Sequence, residues 1–278
     1  MTSIGLGAFF GSGIVSIAIP ENINSIAFNA FLYTENLEQI VVESGNAIYD
    51  SRNNCNAIII TANDSLIAGC KNTLIPSDIN SIGDRAFTGS RGLTSIIIPN
   101  SIMSIGKSAF SYTGLKSVVI PNGVTKICDG TFFGCTSLTS ISIPKTVASI
   151  DGSPFFGCTN LNDVYCYASS VPRAYSTLFH SSPISSGTLH VPESSVELYQ
   201  TSYPWNRFGS IVAIDEEMGQ TGDFNGDGNI TTDDVEVLVN IVLGKIVSGY
   251  DTNCIDINKD GKISVSDITA LVNKVRRI

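Results

Sequence analysis

Residues 81–99 read SIGDRAFTGSRGLTSIIIP, and residues 104–121 repeat this pattern, with one residue fewer, as SIGKSAFSYTGLKSVVIP. Its landmarks return along the chain every 22 or 23 residues, apart from one longer interval. The landmarks are isoleucines at Ile4, Ile26, Ile82, Ile105, Ile127 and Ile150, and phenylalanines at Phe9, Phe31, Phe87, Phe110, Phe132 and Phe155. Because independent landmarks keep one spacing, the sequence predicts an array of stacked repeats from residue 1 to about residue 170.

A second pattern, L-x-x-L-x-L, lies between these landmarks. Its copies span residues 14–19, 37–42, 93–98, 115–120, 138–143 and 161–166. We expect their apolar side chains to point inward and to stack on the next coil, because one coil cannot bury its apolar face alone. A period of 22–23 residues is typical of leucine-rich repeats. The sequence therefore predicts a β-rich leucine-rich-repeat solenoid.

One interval between repeats is longer than the others. Glu43 occupies the proline slot of its repeat, and Pro76 follows 33 residues later, ten more than a repeat requires. The extra material contains a short apolar run at 57–60, a polar turn at 62–65 and a second apolar run at 66–67. This order is typical of a hairpin, which we expect at about 56–68, protruding from the solenoid.

Three features resemble the BspA-like leucine-rich repeat family of bacterial surface proteins. They are the sequence pattern of the repeats, the longer repeat from Gly45 to Pro76 and the stretch from Leu189 to Ile211. The resemblance implies a solenoid domain over residues 1–214, with a C-terminal cap from about 170 to 214. It also implies an extracellular or surface-attached binding protein whose repeats have no catalytic activity. Since the chain opens in the middle of a repeat at Ser3, we expect that an N-terminal part with the targeting segment is absent.

The composition restricts the classes of partner. The chain has 16 basic and 25 acidic residues, a net charge of −9, and its one basic cluster lies at the last residues. Nucleic acid and anionic membranes are therefore poor partners. The longest unbroken apolar run, at 164–168, has five residues, far fewer than the ~20 that span a bilayer. We expect no membrane span.

Cysteine and histidine give no metal-site pattern. Cys135 and Cys158 lie one repeat apart in matching FFGCT contexts. We interpret the cysteines as small buried apolar residues, although a bridge between Cys135 and Cys158 stays open. His180 and His190 lie near the expected cap, with no metal-ligand spacing around them, and we interpret them as surface or cap residues.

Two twelve-residue loops near the C-terminus carry the strongest chemical signal. They span 223–234 and 256–267, with side-chain oxygens at positions 1, 3, 5 and 12 and glycine at position 6. Calcium requires ~6–8 oxygen ligands from a sharply turning chain, which this spacing supplies. The predicted ligands are Asp223, Asn225, Asp227, Asn229, Thr231 and Asp234 in the first loop, and Asp256, Asn258, Asp260, Lys262, Ser264 and Asp267 in the second, with Asn229 and Lys262 acting through backbone carbonyls and Thr231 and Ser264 through water. The alternative is a pair of solvated polar turns.

Each loop continues into an amphipathic helix, and no comparable helix precedes the first. This duplicated loop and helix, residues 222–278, resembles a type I dockerin, joined to the solenoid by a linker at 215–221. The resemblance implies a small all-α module that binds two Ca²⁺ ions and a cohesin-type protein partner, which contacts positions 10 and 11 of the loops, here Thr232, Asp233, Val265 and Ser266. An intramolecular contact with the solenoid is the alternative.

The slot between the last two inward residues of each strand copy points outward, because strand side chains alternate. It holds Ala18, Val41, Ile97, Val119, Ser142 and Tyr165, none of them charged. A polar row runs beside it at Ser16, Gln39, Ser95, Ser117, Ser140 and Asp163. We interpret this uncharged stripe as a ligand face. The alternative is that β-branched residues merely satisfy strand propensity.

Together these features predict a secreted or surface-attached protein that is not an enzyme. The solenoid would recognise a protein or glycan, and the calcium module would attach it to a protein partner. Two alternatives remain: a component of a polysaccharide-degrading assembly, where dockerins are common, and a structural spacer with a calcium-stabilised clip.

Overall fold

A computed structural model describes residues 1–214, 232–242, 257 and 262–275. The strands are β1 (Ser3–Ile4), β2 (Ser16–Ile19), β3 (Ser25–Ile26), β4 (Gln39–Val42), β5 (Tyr49–Asp50), β6 (Ala57–Ile60), β7 (Ser65–Gly69), β8 (Ser81–Ile82), β9 (Ser104–Ile105), β10 (Ser117–Val119), β11 (Lys126–Ile127), β12 (Ser140–Ile143), β13 (Ser149–Ile150), β14 (Asp163–Cys166), β15 (Thr188–Val191) and β16 (Ser210–Ala213). The helices are α1 (Val196–Thr201), α2 (Thr232–Val242) and α3 (Val265–Val275). The strands form a β-solenoid, as predicted.

The longer strands form one side of the solenoid, which we call the long-strand face. It consists of a two-stranded sheet, β2-β4, and a five-stranded sheet, β10-β12-β14-β15-β16. All pairs are parallel, and equivalent residues of successive repeats lie side by side, as Ile141 does with Val164. The alternation of the pattern therefore places the apolar residues inside.

The prediction of a strand at 93–98 is wrong, although Leu93 and Ile98 are buried as expected. One difference lies in the preceding segment, which would be its ladder neighbour on one side. There the Leu74 amide donates to the Cys55 carbonyl at 3.0 Å, and the Lys71 amide donates to the Leu37 carbonyl at 3.2 Å. Because these amides bond to other segments, no ladder forms along 93–98 on that side.

The short-strand face is formed by Ser-Ile pairs and one Lys-Ile pair. Its parallel sheets join β1 to β3, β8 to β9 and β11 to β13, each with the isoleucines in register. The isoleucine of each pair points into the core, so the serine or lysine points outward. This face therefore presents polar side chains.

The third side, which we call the turn wall, comprises residues 5–13, 27–36, 83–92, 106–114, 128–137 and 151–160. Its buried phenylalanines stack from coil to coil, with ring centroids 5.1 Å apart for Phe87 and Phe110 and 5.6 Å apart for Phe110 and Phe132. Backbone hydrogen bonds also join the coils here, such as the 2.8 Å bond from the Phe87 amide to the Ala109 carbonyl. The phenylalanine landmark thus marks two aromatic stacks: one of Phe9 and Phe31, and one that runs from Phe87 to Phe179.

The predicted hairpin is present, because β6 and β7 pair antiparallel, with a register shift between Ile58 and Ile59. The expectation that it protrudes is wrong. Ile58, Ile59 and Leu66 are completely buried, and β7 pairs in parallel with β8 of the short-strand face. Three consecutive isoleucines can be accommodated only where both faces of a strand are covered.

The hairpin separates two hydrophobic cores. Ala57, Ile59 and Leu66 belong to the C-terminal core, which includes Phe87, Phe110, Phe132 and Trp205. From the other face, Ile58 and Ala68 belong to the N-terminal core, which includes Ile19, Phe31 and Leu37. The hairpin is thus a wall between two parts of the array.

One arginine fixes the hairpin to its surroundings. The Arg52 guanidinium lies 2.7 Å from an Asp50 carboxylate oxygen, 2.8 Å from Asp64 in the hairpin turn and 3.5 Å from Asp78 in the next repeat. The Arg52 side chain is 22% exposed. These partly buried ion pairs connect the hairpin turn with the segments on either side.

The end of the solenoid is closed by a buried aromatic group. Tyr199 and Trp205 are fully buried. The Tyr199 hydroxyl donates to the Ala168 carbonyl at 2.8 Å, and the Trp205 indole N–H donates to the Pro172 carbonyl at 3.3 Å. Beyond this group, α2 and α3 pack through Leu238 and Leu271, both fully buried.

Candidate functional site

The predicted outward slot forms a row on the long-strand face. In the five-stranded sheet, Val119, Ser142, Tyr165, His190 and Val212 lie in register on successive strands. In the two-stranded sheet, Ala18 lies beside Val41. Ala18, Val41 and Val119 are exposed, as predicted, whereas Ile97 lies outside any strand and is half-buried, like Tyr165. Ser142 is only 6% exposed, so the expectation of an open slot is wrong at that position.

The sequence analysis did not assign the last two members of this row, His190 and Val212, to the candidate face. His190 was interpreted as a surface or cap residue, but β15 continues the ladder and places its ring on Tyr165, with centroids 4.2 Å apart and the planes 11° apart. Its Nε2 atom lies 3.1 Å from Oδ1 of Asp163. The available signal was the alternation of Leu189 and Val191 around His190, which matches the residues around Tyr165.

A polar row accompanies the uncharged row. Ser117, Ser140, Asp163, Thr188 and Ser210 lie in register across the same five strands. Ser140 is only 3% exposed, so a ligand could reach the polar groups of Ser117, Asp163, Thr188 and Ser210. Hydroxyl and carboxylate groups beside apolar and aromatic side chains are suited to bind a ligand through both contact types.

These residues do not assemble a catalytic serine arrangement. Ser142 and His190 stand two strands apart, about 10 Å at the usual strand spacing. A nucleophile and its base must lie within hydrogen-bond distance, about 3 Å. The pairing of Asp163 with His190 therefore serves to position side chains of the face.

The cysteines behave as core residues. Cys135 and Cys158 are fully buried, and burial raises the pKa of both thiols above the ordinary value. The Cys135 thiol donates to the Phe110 carbonyl at 3.0 Å, and the Cys158 thiol donates to the Phe132 carbonyl at 3.2 Å. No disulfide joins them, and the interpretation as small buried residues is confirmed for this pair.

The structure describes the end of the second predicted calcium loop, residues 262–267. Asp267 is fully buried, and its Oδ2 atom accepts a 2.9 Å hydrogen bond from the Ser264 amide. The Ser264 hydroxyl oxygen accepts a hydrogen bond from the Ser266 amide at 3.2 Å, so Ser264 caps α3. The last acid of the loop thus lies in the first turn of the helix and faces back towards the loop, an orientation that fits a calcium ligand.

The other predicted calcium ligands are described only partly or not at all. The backbone of Asp234 lies in α2, and Lys262 is an exposed residue that precedes α3. The remaining predicted ligands, Asp223, Asn225, Asp227, Asn229, Thr231, Asp256, Asn258 and Asp260, and the linker 215–221 lie outside the described residues. The site assignment therefore stays a prediction.

The predicted partner contacts lie at the starts of the two helices. Val265 and Ser266 are exposed at the beginning of α3. Thr232 and Asp233 begin α2, and their side chains lie outside the described part. In the stretches that the structure describes, no helix has the length and apolar character needed to cross a membrane.

Comparison with known proteins agrees with this architecture. The model of the BspA type leucine rich repeat region matches residues 1–69 and 62–185 in six copies, and the model of the dockerin type I domain matches residues 221–276. No curated protein matches the sequence.

Solved structures show the same fold. A leucine rich cell surface protein from Faecalibacterium prausnitzii A2-165 is 25% identical, with a TM-score of 0.54 over 77% of this chain and 52% of that chain. The pneumococcal vaccine antigen PcpA is 15% identical, with a TM-score of 0.55 over 73% of this chain and 56% of that chain, which shows the fold alone. The chain spans about half the length of these proteins. The chain belongs to the BspA-type leucine-rich repeat family and carries a type I dockerin domain.

Proposed function

We propose that this chain is a non-catalytic binding protein of the bacterial cell surface, whose five-stranded sheet holds a protein or glycan ligand. The observation that carries the proposal is the row of outward residues from Val119 to Val212. Both families matched by the chain are typically binding modules without catalytic activity. This shared character supports binding as the function of the whole chain.

The two strand faces differ in what they present. On the short-strand face the outward residues are Ser3, Ser25, Ser81, Ser104, Lys126 and Ser149. On the long-strand face the equivalent row contains two valines, a tyrosine and a histidine, with one serine, Ser142. Since both faces are built from the same coils, solvent exposure alone does not explain an apolar row on one of them. Apolar surface bordered by hydrogen-bonding groups is typical of an interaction site.

A charge introduced on each face tests this proposal. Val119→Lys with Val212→Lys places two cations in the row, and Ser104→Lys with Ser149→Lys places two on the short-strand face as the matched control. Val119 and Val212 are about 40% exposed, so neither change should unfold the protein. We expect capture of a ligand from a bacterial surface extract or a glycan array to be lost only in the first variant. Equal capture by both variants would contradict the proposal.

The dockerin module would attach the chain to a cohesin-type protein in a calcium-dependent way. The residues in contact would be Thr232, Asp233, Val265 and Ser266. Attachment to the solenoid of the same chain is the alternative.

The module has nine acidic and six basic residues, so two bound Ca²⁺ ions would change its net charge from −3 to +1. Clustered carboxylates repel one another without the ions. Calorimetry of the full chain should find two sites, and Asp223→Ala and Asp256→Ala should each remove one. Fewer than two sites in the wild type would contradict the assignment.

Membership of a polysaccharide-degrading assembly is the second candidate, favoured by the dockerin match at residues 221–276. In this case the module would place the solenoid among enzymes, and the solenoid would hold their substrate. Release of a cohesin-type partner by EDTA, together with retention of a polysaccharide by the solenoid, would favour this assignment. Release of sugar from polysaccharide by the purified chain would instead show that the protein is itself an enzyme.

A further inference from the structure

Two tyrosines of the turn wall occupy a backbone position at which the other coils carry glycine. At this position the amide donates to a carbonyl of the next coil, and φ lies between 56° and 79°. The occupants in six successive coils are Gly11, Tyr33, Gly89, Tyr112, Gly134 and Gly157. Residues with a Cβ disfavour this left-handed conformation. Two tyrosines that adopt it therefore point to a role for their side chains.

The two tyrosine rings are in contact across the coil that separates them. The centroids of Tyr33 and Tyr112 lie 5.9 Å apart, and the ring planes are 44° apart. The coil between them has Gly89 at the shared position, where a Cβ would collide with the Tyr33 ring. Because this glycine has no side chain, the Tyr33 ring lies over it and reaches Tyr112.

This contact crosses the boundary between the two hydrophobic cores. Phe31, close to Tyr33, belongs to the N-terminal core, and Phe110, close to Tyr112, belongs to the C-terminal core. The buried phenylalanines form separate stacks, one that ends at Phe31 and one that begins at Phe87. The tyrosine pair thus joins the coils at the point where the inner aromatic stacking is interrupted.

The pair also differs from the other tyrosines in its surroundings. Tyr33 and Tyr112 are half-buried, whereas Tyr49 and Tyr199 are buried and their hydroxyls hydrogen-bond to the backbone. Among the tyrosines that the structure describes, Tyr33 and Tyr112 are the only two whose rings contact each other. Burial, and after it the phenol of Tyr112, raise the pKa of Tyr33 above the ordinary value. The Tyr33 phenol therefore keeps its proton at neutral pH.

We propose that Tyr33 and Tyr112 are a site of oxidative cross-linking, at which one carbon–carbon bond joins the two rings. Each phenol gives one electron and one proton to a haem peroxidase that hydrogen peroxide has oxidised. The two phenoxyl radicals couple through the ring carbons next to the carbons that carry the oxygens, and the hydrogens at the two coupled carbons move to the oxygens. Two phenols and one hydrogen peroxide thus give one dityrosine and two waters.

The bond would connect the two cores covalently. In the unfolded chain, a link between residues 33 and 112 closes a long loop, which lowers the entropy of the unfolded state and stabilises the folded one. Because the link crosses the boundary at the hairpin, the N-terminal coils would no longer open independently of the C-terminal coils. The modification would therefore stabilise the solenoid where its stacking is divided.

Oxidation of the full chain by hydrogen peroxide and a haem peroxidase tests the proposal, at a protein concentration low enough to suppress encounters between molecules. We expect dityrosine fluorescence in a product that migrates as a monomer and whose mass is lower by two hydrogen atoms. Digestion and mass spectrometry should locate the bond between residues 33 and 112. The melting temperature of the product should rise by roughly 10 °C.

Conservative variants separate this site from the other tyrosines. Tyr33→Phe and Tyr112→Phe keep the rings and remove the phenols, and each should lower the yield of the monomeric product at least about tenfold, because no other phenol is held against the remaining one. Tyr175→Phe removes a 60% exposed tyrosine outside the pair. It is the matched control and should leave the yield within a factor of about two.

Three results would overturn the proposal. The first is the absence of dityrosine from the protein in a mixture that couples free tyrosine. The second is a product whose bond joins two molecules or any other pair of tyrosines. The third is an equal yield from the wild type and Tyr33→Phe when the two unoxidised proteins melt at the same temperature.

Discussion

The two ends of the solenoid follow the same repeat but differ in continuity. From β10 to β16 the long strands form one five-stranded sheet over a single core, whereas β2 and β4 form a separate sheet over a core of their own. The hairpin lies between them and contributes one face to each core. A repeat protein is stabilised by contacts between neighbouring coils, so an insert that replaces such contacts divides the array into two parts.

This division also limits the candidate ligand face. The row of Val119, Ser142, Tyr165, His190 and Val212 is continuous because its strands are hydrogen-bonded neighbours. Val41 occupies the same slot and is equally exposed, but its sheet ends at the hairpin. The proposed binding face is therefore confined to the C-terminal sheet, and we expect the N-terminal coils to be dispensable for it.

Removal of the hairpin should have the largest effect on this division. Replacing residues 46–70 by a linker of repeat length, so that Gly45 leads into Lys71, exposes apolar side chains of both cores. We expect loss of cooperative thermal unfolding, measured by circular dichroism. An unchanged melting temperature would show that the hairpin is an appendage and would refute the division into two cores.

Single truncations on the two faces of the hairpin should separate the cores. Ile58→Ala and Ile59→Ala remove the same atoms from fully buried positions, and each should cost about 2–5 kcal/mol. Hydrogen exchange should show faster opening of residues 1–50 in Ile58→Ala and of residues 80–210 in Ile59→Ala. Identical exchange maps for the two variants would contradict the assignment of the faces.

Arg52→Ala should weaken the boundary by a smaller amount. The substitution removes hydrogen bonds from the guanidinium to Asp50 and Asp64, at 2.7 and 2.8 Å. Charge-assisted hydrogen bonds of this kind contribute about 2 kcal/mol. Lys126→Ala, which removes an exposed pair with Asp151, is the control and should leave the denaturant midpoint nearly unchanged.

The same site predicts a pH dependence of smaller size. Hydrogen bonds from the Arg52 guanidinium hold the pKa of Asp50 below the ordinary value of 3.8. A lowered pKa in the folded state contributes stability that is present above pH 3.8 and is lost as the pH falls through the folded value. The wild type should therefore lose more stability than Arg52→Ala when the pH falls from 5 to 2.5. Parallel losses in the two proteins would contradict this account.

The sequence predicts those features that depend on contacts between equivalent positions of neighbouring repeats. The L-x-x-L-x-L pattern predicted that Ile141 stacks on Val164, because a repeat places like residues side by side, and the stacking of Phe110 on Phe132 has the same cause. The buried hairpin could not be predicted in the same way. An apolar run with a turn is compatible with an exposed or an enclosed hairpin, and the choice depends on coils distant in the sequence.

Two further differences have similar causes. The missing strand at 93–98 follows a segment whose Leu74 and Lys71 amides bond to other segments, which no local pattern records. His190 joined the candidate face because β15 continues the ladder beyond the last full repeat. The alternation of His190 with Leu189 and Val191 indicates a strand, but the segment was assigned to the expected cap.

Photo-cross-linking tests the location of the binding face most directly. A benzoylphenylalanine in place of Val119 samples the five-stranded sheet. A benzoylphenylalanine in place of Val41 samples the equivalent outward position on the two-stranded sheet, and one in place of Ser104 samples the short-strand face. Irradiation in a bacterial surface extract should yield a cross-linked product from position 119 and none from positions 41 and 104. Equal products from 41 or 104, or none from 119 while the wild-type chain still captures a ligand, would contradict the account.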